Sequence, residues 1–274
     1  MARVGCIMMQ KNETDLLQPW VDYHAYLFGK ENLFVFDNGS DDPENQVQLV
    51  DLESSGLSVD RSYPRDFERK GEIIGNKIQQ LEQTGRYDFL FPMDCDEFLV
   101  LQNSKTDISC SRERIHAELE ALQDDQAFAI VDAYFNIIGH RDQFWCWEMD
   151  KTFFRAGTFG SLDHGHHHGV SRLQPGKSPT RFAFMHFHHK PYDLLVAHSR
   201  AKLAPFVDVD DAQALAEFRG CGWHLTKYLL EPPAVYERRF VTSQDSVALP
   251  QFRAQLDALG VVMPFDRAAT TGDE

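Results

Sequence analysis

The sequence predicts an α/β protein with a mixed, mainly parallel sheet flanked by helices. Over the first hundred residues, short apolar runs alternate with segments of helical periodicity, which is typical of βαβ units. Three of the apolar runs end abruptly in polar loops that begin near Lys11, Asp37 and Asp94. Ligands bind at the carboxyl ends of parallel strands, so we expect these three loops to converge on one crevice.

The individual elements follow from the same patterns in chain order. The predicted strands cover residues 4–9, 33–36, 57–59, 87–93 and 128–135. The predicted helices cover residues 16–27, 47–52, 71–83, 112–122, 212–218 and 223–230, and Gly29 closes the first of them. Residues 136–169 show no clear period, and we expect variable loops there that line an acceptor pocket.

Composition excludes several classes of partner. The chain carries 42 acidic and 27 basic residues, for a formal net charge of −15, and it shows no basic stripe. Binding to nucleic acid is therefore not expected. A phosphate-bearing substrate would need a local source of positive charge, which a divalent cation can supply.

The cysteines and the apolar segments bear on the compartment. Five cysteines without CxxC spacing suit a reducing compartment better than a disulfide scaffold. The apolar run at the N-terminus is too short for a signal peptide, and we expect no transmembrane segment. The predicted location is the cytoplasm.

The strongest chemical signal is the turn Asp94-Cys95-Asp96-Glu97 after a predicted buried strand. Residues two apart on an extended segment point to the same side, so Asp94 and Asp96 can face one cation. Carboxylate oxygens suit Mg²⁺ or Mn²⁺, which also take oxygens from substrate phosphates. The competing interpretation is an ordinary acidic surface turn.

Histidines concentrate in two later segments, at positions 164, 166, 167, 168, 186, 188 and 189. An imidazole from His186 or His188 can complete a coordination sphere begun by Asp96, which favours Mn²⁺ over Mg²⁺. On an extended strand both side chains share a face, so spacing does not choose between them. The run 166–168 is either a solvated loop or part of an acceptor site.

Several segments, in this order, resemble one enzyme family. They are Lys11-Asn12-Glu13, then Trp20 and His24, then residues 36–42, 71–76 and 85–87, the Asp94-to-Phe98 turn, and His186-Phe187-His188-His189-Lys190-Pro191. Together they resemble the family 2-like glycosyltransferases of the GT-A fold, a Rossmann-like nucleotide-diphospho-sugar transferase fold. The bacterial branch with an Asp-x-Asp-Glu-Phe turn, related to the DUF23/family 92 enzymes, is the most similar. The resemblance covers about residues 3 to 204.

The resemblance implies a domain division and a function. Residues 1–205 would form the GT-A domain, and residues 206–274 a C-terminal helical extension with a frayed tail. The implied enzyme is metal-dependent, uses Mn²⁺ or Mg²⁺, and moves a sugar from a UDP- or GDP-sugar to a carbohydrate or glycoconjugate acceptor, with inversion expected.

The resemblance also implies roles for individual residues. Asp37 would contact the base or ribose, and Asp94 the ribose or the metal. Asp96 and His186 would bind the metal. The remaining implied contacts to the nucleotide are Asn12, Glu13, Asn76 and Lys190.

The sequence departs from the family in two places. The family's Glu-Asp pair, which supplies the general base, is missing, and we expect Asp163 to replace it, with Glu148 as the second candidate. Pro191 stands where the branch tends to have Ser, which removes one hydroxyl contact to the diphosphate.

Two other functions are compatible with an acidic turn at a strand end. A sugar nucleotidyltransferase is one, although Gln10-Lys11-Asn12-Glu13 lacks the Gly-rich, basic character typical of a triphosphate-binding loop. A non-catalytic nucleotide-sugar-binding module is the other.

Overall fold

The computed structural model describes residues 1–241 and 245–264, and it confirms the predicted mixed α/β architecture. The first four strands are β1 (Val4–Gln10), β2 (Leu33–Asp37), β3 (Ser58–Asp60) and β4 (Phe89–Pro92). The helices between them are α1 (Thr14–Phe28), α2 (Pro43–Ser54) and α3 (Lys70–Gln83). These strands lie side by side in the order β3-β2-β1-β4, and all three pairings are parallel.

The second half of the sheet mixes strand directions. Its strands are β5 (Glu97–Ser104), β6 (Asp107–Ser109), β7 (Ala127–Ile137), β8 (His140–Arg155), β11 (Lys177–Pro179) and β12 (Phe182–His186), while β9 (Phe159–Ser161) and β10 (Val170–Ser171) form a separate ribbon. Helix α4 (Arg112–Ala121) precedes β7. The sheet continues from β4 in the order β8-β7-β12-β5-β6. Strand β12 runs parallel to β7, whereas β8 runs antiparallel to both β4 and β7.

The expectation of loops over residues 136–169 is wrong for their first half, because β8 is a sixteen-residue strand paired with β7 along most of its length. Its exposed first part mixes polar and aromatic residues, so neither a continuous apolar run nor a strict alternation marks it. Within β8, only Phe144 and the four residues 151–154 are buried.

The C-terminal part of the described chain is mostly helical and returns to the sheet. Its elements are α5 (Tyr192–Leu203), α6 (Ala212–Glu217), α7 (Thr226–Leu230), α8 (Pro233–Val241), β13 (Val247–Ala248) and α9 (Pro250–Leu259). Strand β13 pairs with β8, and Phe252 and Leu256 of α9 belong to the main core. The division at residue 205 stays a prediction, and the expected frayed tail, from residue 265, lies outside the described residues. Among the helices described, none is both long and apolar enough to cross a bilayer.

Aromatic side chains form the centre of the core beneath the carboxyl edge. Phe91 of β4 stacks on Phe153 of β8, with ring centroids 4.1 Å apart, and Phe128 of β7 stacks on the other side of Phe153 at 5.1 Å. All three are fully buried. This stack joins the parallel and the mixed halves of the sheet.

Replacing Phe91 with Ala should therefore lower the free energy of unfolding by about 3–5 kcal/mol, because it leaves a cavity between the two halves. The matched control is Phe206→Ala, since Phe206 is 38% exposed and should lose little. Urea denaturation of both variants measures the difference, and equal losses would contradict this account of the core.

Candidate active site

The turn between β4 and β5 lies at the carboxyl edge of the parallel strands. It closes through a bond from the amide of Glu97 to the carbonyl of Asp94, 3.1 Å long, and the amide of Asp94 donates to the Glu97 carboxylate at 3.0 Å. Cys95 is buried at the centre of the turn. The two aspartates of the turn have different partners.

Asp94 is held by two buried lysines. Lys70, at the start of α3, bonds to one oxygen of Asp94, and Lys151 of β8 bonds to the other at 2.7 Å. Lys151 also lies 2.9 Å from the Glu97 carboxylate. Burial raises the pKa of Asp94, but the two ammonium groups outweigh burial and hold that pKa well below its usual value. Both carboxylate oxygens are thus bonded to protein cations, and the shared cation of Asp94 and Asp96 stays a prediction.

Asp96 instead meets two histidines. Potential ligand atoms of Asp96, His186 and His188 all lie within 4.8 Å of one another, and Nε2 of His186 is 3.3 Å from the Asp96 carboxylate. His186 is the last residue of β12, and the register of β12 with β5 brings it beside the turn. His188 is oriented by Tyr228, whose hydroxyl is 3.1 Å from Nε2. We call Asp96, His186 and His188 the carboxylate–histidine cluster.

The carboxylate–histidine cluster fits a divalent transition metal. Burial lowers the pKa of His186, but the nearby Asp96 carboxylate outweighs burial, so this pKa is above its usual value. At His188, burial and the neighbouring groups His186 and His189 all act in the same direction and hold the pKa well below its usual value. Nδ1 of His186 is buried without a hydrogen-bond partner among the described residues. One carboxylate and two imidazoles suit Mn²⁺, Fe²⁺ or Zn²⁺ better than Mg²⁺, which prefers oxygen ligands only.

A second ion cluster lies beside the first. Glu13 accepts from Lys190 at 2.8 Å, and His198 and Lys202 of α5 lie 3.4 and 3.5 Å from its other oxygen. Burial raises the pKa of Glu13, but Lys190, His198 and Lys202 lower it to about 2. Glu13 and Lys190, both predicted as nucleotide contacts, therefore form an ion pair with each other. Among Lys190, His198 and Lys202, the side chain of Lys202 is the most exposed.

The predicted nucleoside contacts form a hydrogen-bonded loop after β1 and β2. One oxygen of Asp37 accepts from Gln10 at 2.9 Å and from the hydroxyl and amide of Ser40 at 2.5 and 3.1 Å. Within residues 1–241 and 245–264, its other oxygen has a single long contact, 3.4 Å from the Ser40 amide. Asn12, in the left-handed region with φ 55°, binds the Asp41 carboxylate and accepts from two loop amides. Asn12 therefore stabilises the loop, whereas the second oxygen of Asp37 is only weakly bonded among the described residues.

The expected catalytic base is engaged elsewhere. Asp163 accepts from the amides of Gly165 and His168 at 3.2 and 2.6 Å. Burial raises the pKa of Asp163, but these two backbone bonds lower it below its usual value, which makes it a weaker base. Its loop packs closely on α3, where a Cβ on Gly71 would lie 2.7 Å from the Asp163 backbone. Asp163 thus stabilises a loop, and its role as the catalytic base stays a prediction.

Two further predicted residues lie apart from the clusters. Glu148 is exposed on β8, where it lines a cavity of about 610 Å³ together with Asp132 and Lys177 rather than with the Asp94-Cys95-Asp96 turn. Asn76 is exposed on α3, six residues and so roughly 9 Å along the helix from Lys70. The structure does not bring either residue to the turn.

Four lysines and histidines of the site went unpredicted: Lys70, Lys151, His198 and Lys202. Lys70 directly precedes the predicted helix 71–83, and Lys151 lies in a strand without a clear period, so neither carries a local signal. His166 is a different case, since it is fully buried with φ 62°, and neither ring nitrogen has a partner among the described residues. Its place in a Gly- and His-rich run left open a solvated loop or an acceptor site, and its burial does not fit the solvated loop.

No protein-family model matches the chain, and no curated protein matches it either. Among solved structures, it is similar to a cytidylyltransferase from Leptospira borgpetersenii, at 12% sequence identity and a TM-score of 0.29, over 57% of this chain and 61% of that chain. It is also similar to S. aureus TarS 1-349, at 12% identity and a TM-score of 0.39, over 87% and 72% of the two chains. A further TarS structure matches at 12% identity and a TM-score of 0.37, over 79% and 42%. The chain thus spans about three fifths of the cytidylyltransferase, and scores this low do not identify a family.

The two aspartates of the turn should differ in their effect on stability. Asp94→Asn leaves two buried ammonium groups without their shared counter-charge and should cost about 3–5 kcal/mol of unfolding free energy. Asp96→Asn removes one bond to a histidine and should cost only about 1 kcal/mol. Urea denaturation in EDTA compares the two variants, and a larger loss for Asp96→Asn would contradict the assigned ion pairs.

Proposed function

We propose that this protein is a metal-dependent glycosyltransferase that transfers a sugar from a nucleoside diphosphate sugar to a carbohydrate or glycoconjugate. The observation that carries the proposal is the carboxylate–histidine cluster at the carboxyl edge of the sheet. Asp96, His186 and His188 would hold the ion. The bound ion would offset the negative charge that develops on the leaving diphosphate.

Protein cations would complete the electrostatic environment of the diphosphate. The chain has a formal net charge of −15, so a doubly charged diphosphate needs local positive charge in order to bind. Lys190 and Lys202 both lie within 3.5 Å of Glu13, beside the turn that carries Asp96. Lys202 is partly exposed and flexible enough to turn towards a bound phosphate. Lys190 is buried, so its role would be to hold the Glu13 carboxylate in place at the bottom of the site.

The nucleoside would bind at the other end of the same edge. Strands β1 and β2 end together, with Gln10 paired to Asp37, so the loops that follow them share one side of the crevice. The second oxygen of Asp37 supplies an acceptor for a ribose hydroxyl or a base N–H. The bonds of its first oxygen to Gln10 and Ser40 orient the carboxylate before the ligand arrives, which reduces the entropy cost of binding.

The reaction stereochemistry stays a prediction from the resemblance. Inversion requires a base that accepts the proton of the attacking hydroxyl. The engaged carboxylate of Asp163 and the distant, exposed Glu148 do not support that role for either residue.

Removing any member of the carboxylate–histidine cluster should abolish metal-dependent nucleotide binding. We expect Asp96→Ala, His186→Ala and His188→Ala each to weaken Mn²⁺ affinity in the presence of UDP or GDP by more than about 100-fold, beyond the usual effect of residues that only support a ligand. Isothermal titration calorimetry measures the affinities.

His168→Ala is the matched control, because His168 is exposed and lies outside the cluster. If His188→Ala binds Mn²⁺ like the unmodified protein, the ligand set is wrong. Tighter binding of nucleoside triphosphates than of diphosphates would instead favour a nucleotidyltransferase.

Asp37→Asn should separate nucleotide binding from folding. The Asn carbonyl can keep the bonds to Gln10 and Ser40, while the second carboxylate oxygen becomes an NH₂ group. Loss of a charged hydrogen bond, worth about 1.5–3 kcal/mol, should weaken nucleoside diphosphate affinity roughly ten- to a hundredfold with little change in melting temperature. Asp51→Asn on the exposed face of α2 is the control. Unchanged affinity would restrict Asp37 to a structural role in the loop.

A further inference from the structure

A row of aromatic side chains leads away from the carboxylate–histidine cluster. The ring of His186 lies 4.7 Å from that of Phe135, which lies 4.8 Å from that of Trp147. Trp147 and Trp145 are parallel, with an angle of 4° between their planes and centroids 6.1 Å apart. We call Phe135, Trp145 and Trp147 the aromatic wall.

Strand pairing explains why the aromatic wall is continuous with the cluster. His186 of β12 is the registered neighbour of Phe135 in β7, and Phe135 is the registered neighbour of Trp145 in β8. Registered neighbours point to the same face of a sheet, and Trp147 follows Trp145 by two residues, so it shares that face. The cluster and the wall therefore occupy one face of three adjacent strands.

The aromatic wall extends beyond the edge of the parallel strands. Leu90 of β4 pairs with Phe154 of β8, so the same register sets the end of β4 opposite Thr152. Trp147 lies five residues further along β8, which at about 3.3 Å per residue is roughly 16 Å. The wall thus stands above the crevice, next to the cluster and on the far side of β4 from Asp37.

The three side chains of the aromatic wall differ in exposure. Phe135 is buried, Trp145 is half-buried, and Trp147 is 52% exposed. A large aromatic surface beside a ligand crevice marks a recognition site more often than an isolated exposed residue does. An indole ring offers a broad apolar face with negative electrostatic potential, which attracts C–H groups that carry partial positive charge.

We propose that the aromatic wall is an acceptor subsite that takes the apolar C–H face of a pyranose ring in a glycan. This inference rests on the proposed glycosyltransferase function, and it names the acceptor class. A neutral ring suits the wall because its three side chains carry no charge, and the glycan hydroxyls remain free to meet water at its rim. The nucleobase of the donor is not the expected occupant, since β8 is three strand spacings, about 14 Å, from β2 and Asp37.

The test measures glycan binding in EDTA, without nucleotide, so that it does not depend on the metal site. The unmodified full-length protein is screened on an array of pyranose oligosaccharides that includes glucan, galactan, mannan and N-acetylglucosamine oligomers. Affinity for the best-binding oligomer is then determined by calorimetry for Trp147→Ala, Trp147→Tyr and Trp223→Ala. Trp223 is the matched control because it is 57% exposed and lies outside the wall.

We expect Trp147→Ala to weaken glycan affinity at least about tenfold, which is the range for loss of one stacking aromatic ring. Trp147→Tyr should keep most of the affinity, and Trp223→Ala all of it. Affinity for UDP or GDP with Mn²⁺ should be unchanged in Trp147→Ala.

Three results would overturn the acceptor subsite. They are the absence of any bound oligosaccharide, equal glycan affinity in Trp147→Ala and Trp223→Ala, and a loss of nucleotide affinity in Trp147→Ala that assigns the wall to the donor. Failure of the proposed function can be distinguished from failure of the acceptor subsite, because in that case the unmodified protein does not bind nucleotide in the presence of Mn²⁺. Glycan binding that depends on Trp147 in that case would still support a glycan site at the wall.

Discussion

Two buried ammonium groups meet on the carboxylate of Asp94, and this shared ion pair joins three parts of the chain at the carboxyl edge of the sheet. Lys70 lies at the start of α3, Lys151 lies in β8, and Asp94 lies in the turn between β4 and β5, so the ion pairs hold these three segments together. Each lysine would be costly to bury alone, whereas the shared carboxylate compensates both. The bond of Lys151 to Glu97 also fixes the end of the turn. The position of Asp96 follows from this arrangement.

The two aspartates of this turn therefore have different partners. Asp94 is saturated by cations of the protein, while Asp96 meets two imidazoles that are able to bind a metal. A comparable division occurs at Glu13, where one carboxylate organises three basic groups around the base of the site. The lysines of the site are balanced by nearby carboxylates, so a bound cation would supply the additional positive charge that a diphosphate needs in this acidic protein.

The long β7–β8 pair connects the core to the aromatic wall. At one end, Phe128 and Phe153 stack within the core. At the other end, Trp145 and Trp147 pass the edge of the parallel strands and stand beside His186. Because one continuous pair of strands carries both ends, the stacked core holds the exposed aromatic rings in a fixed position relative to the carboxylate–histidine cluster.

The sequence by itself determined the α/β class, the first four strands and the carboxylate turn after the fourth, because apolar periodicity and strand-end polarity are local properties. The family resemblance added the expectation that His186 lies at the turn and that Glu13 and Lys190 contact the nucleotide, but not that Glu13 and Lys190 pair with each other. Only the tertiary structure decided that Asp94 faces Lys70 and Lys151, that Asp163 caps its own loop, and that β8 is a strand. Those outcomes depend on which distant side chains compensate a buried charge and on how strands pair across the sheet, and neither is encoded in the spacing of neighbouring residues.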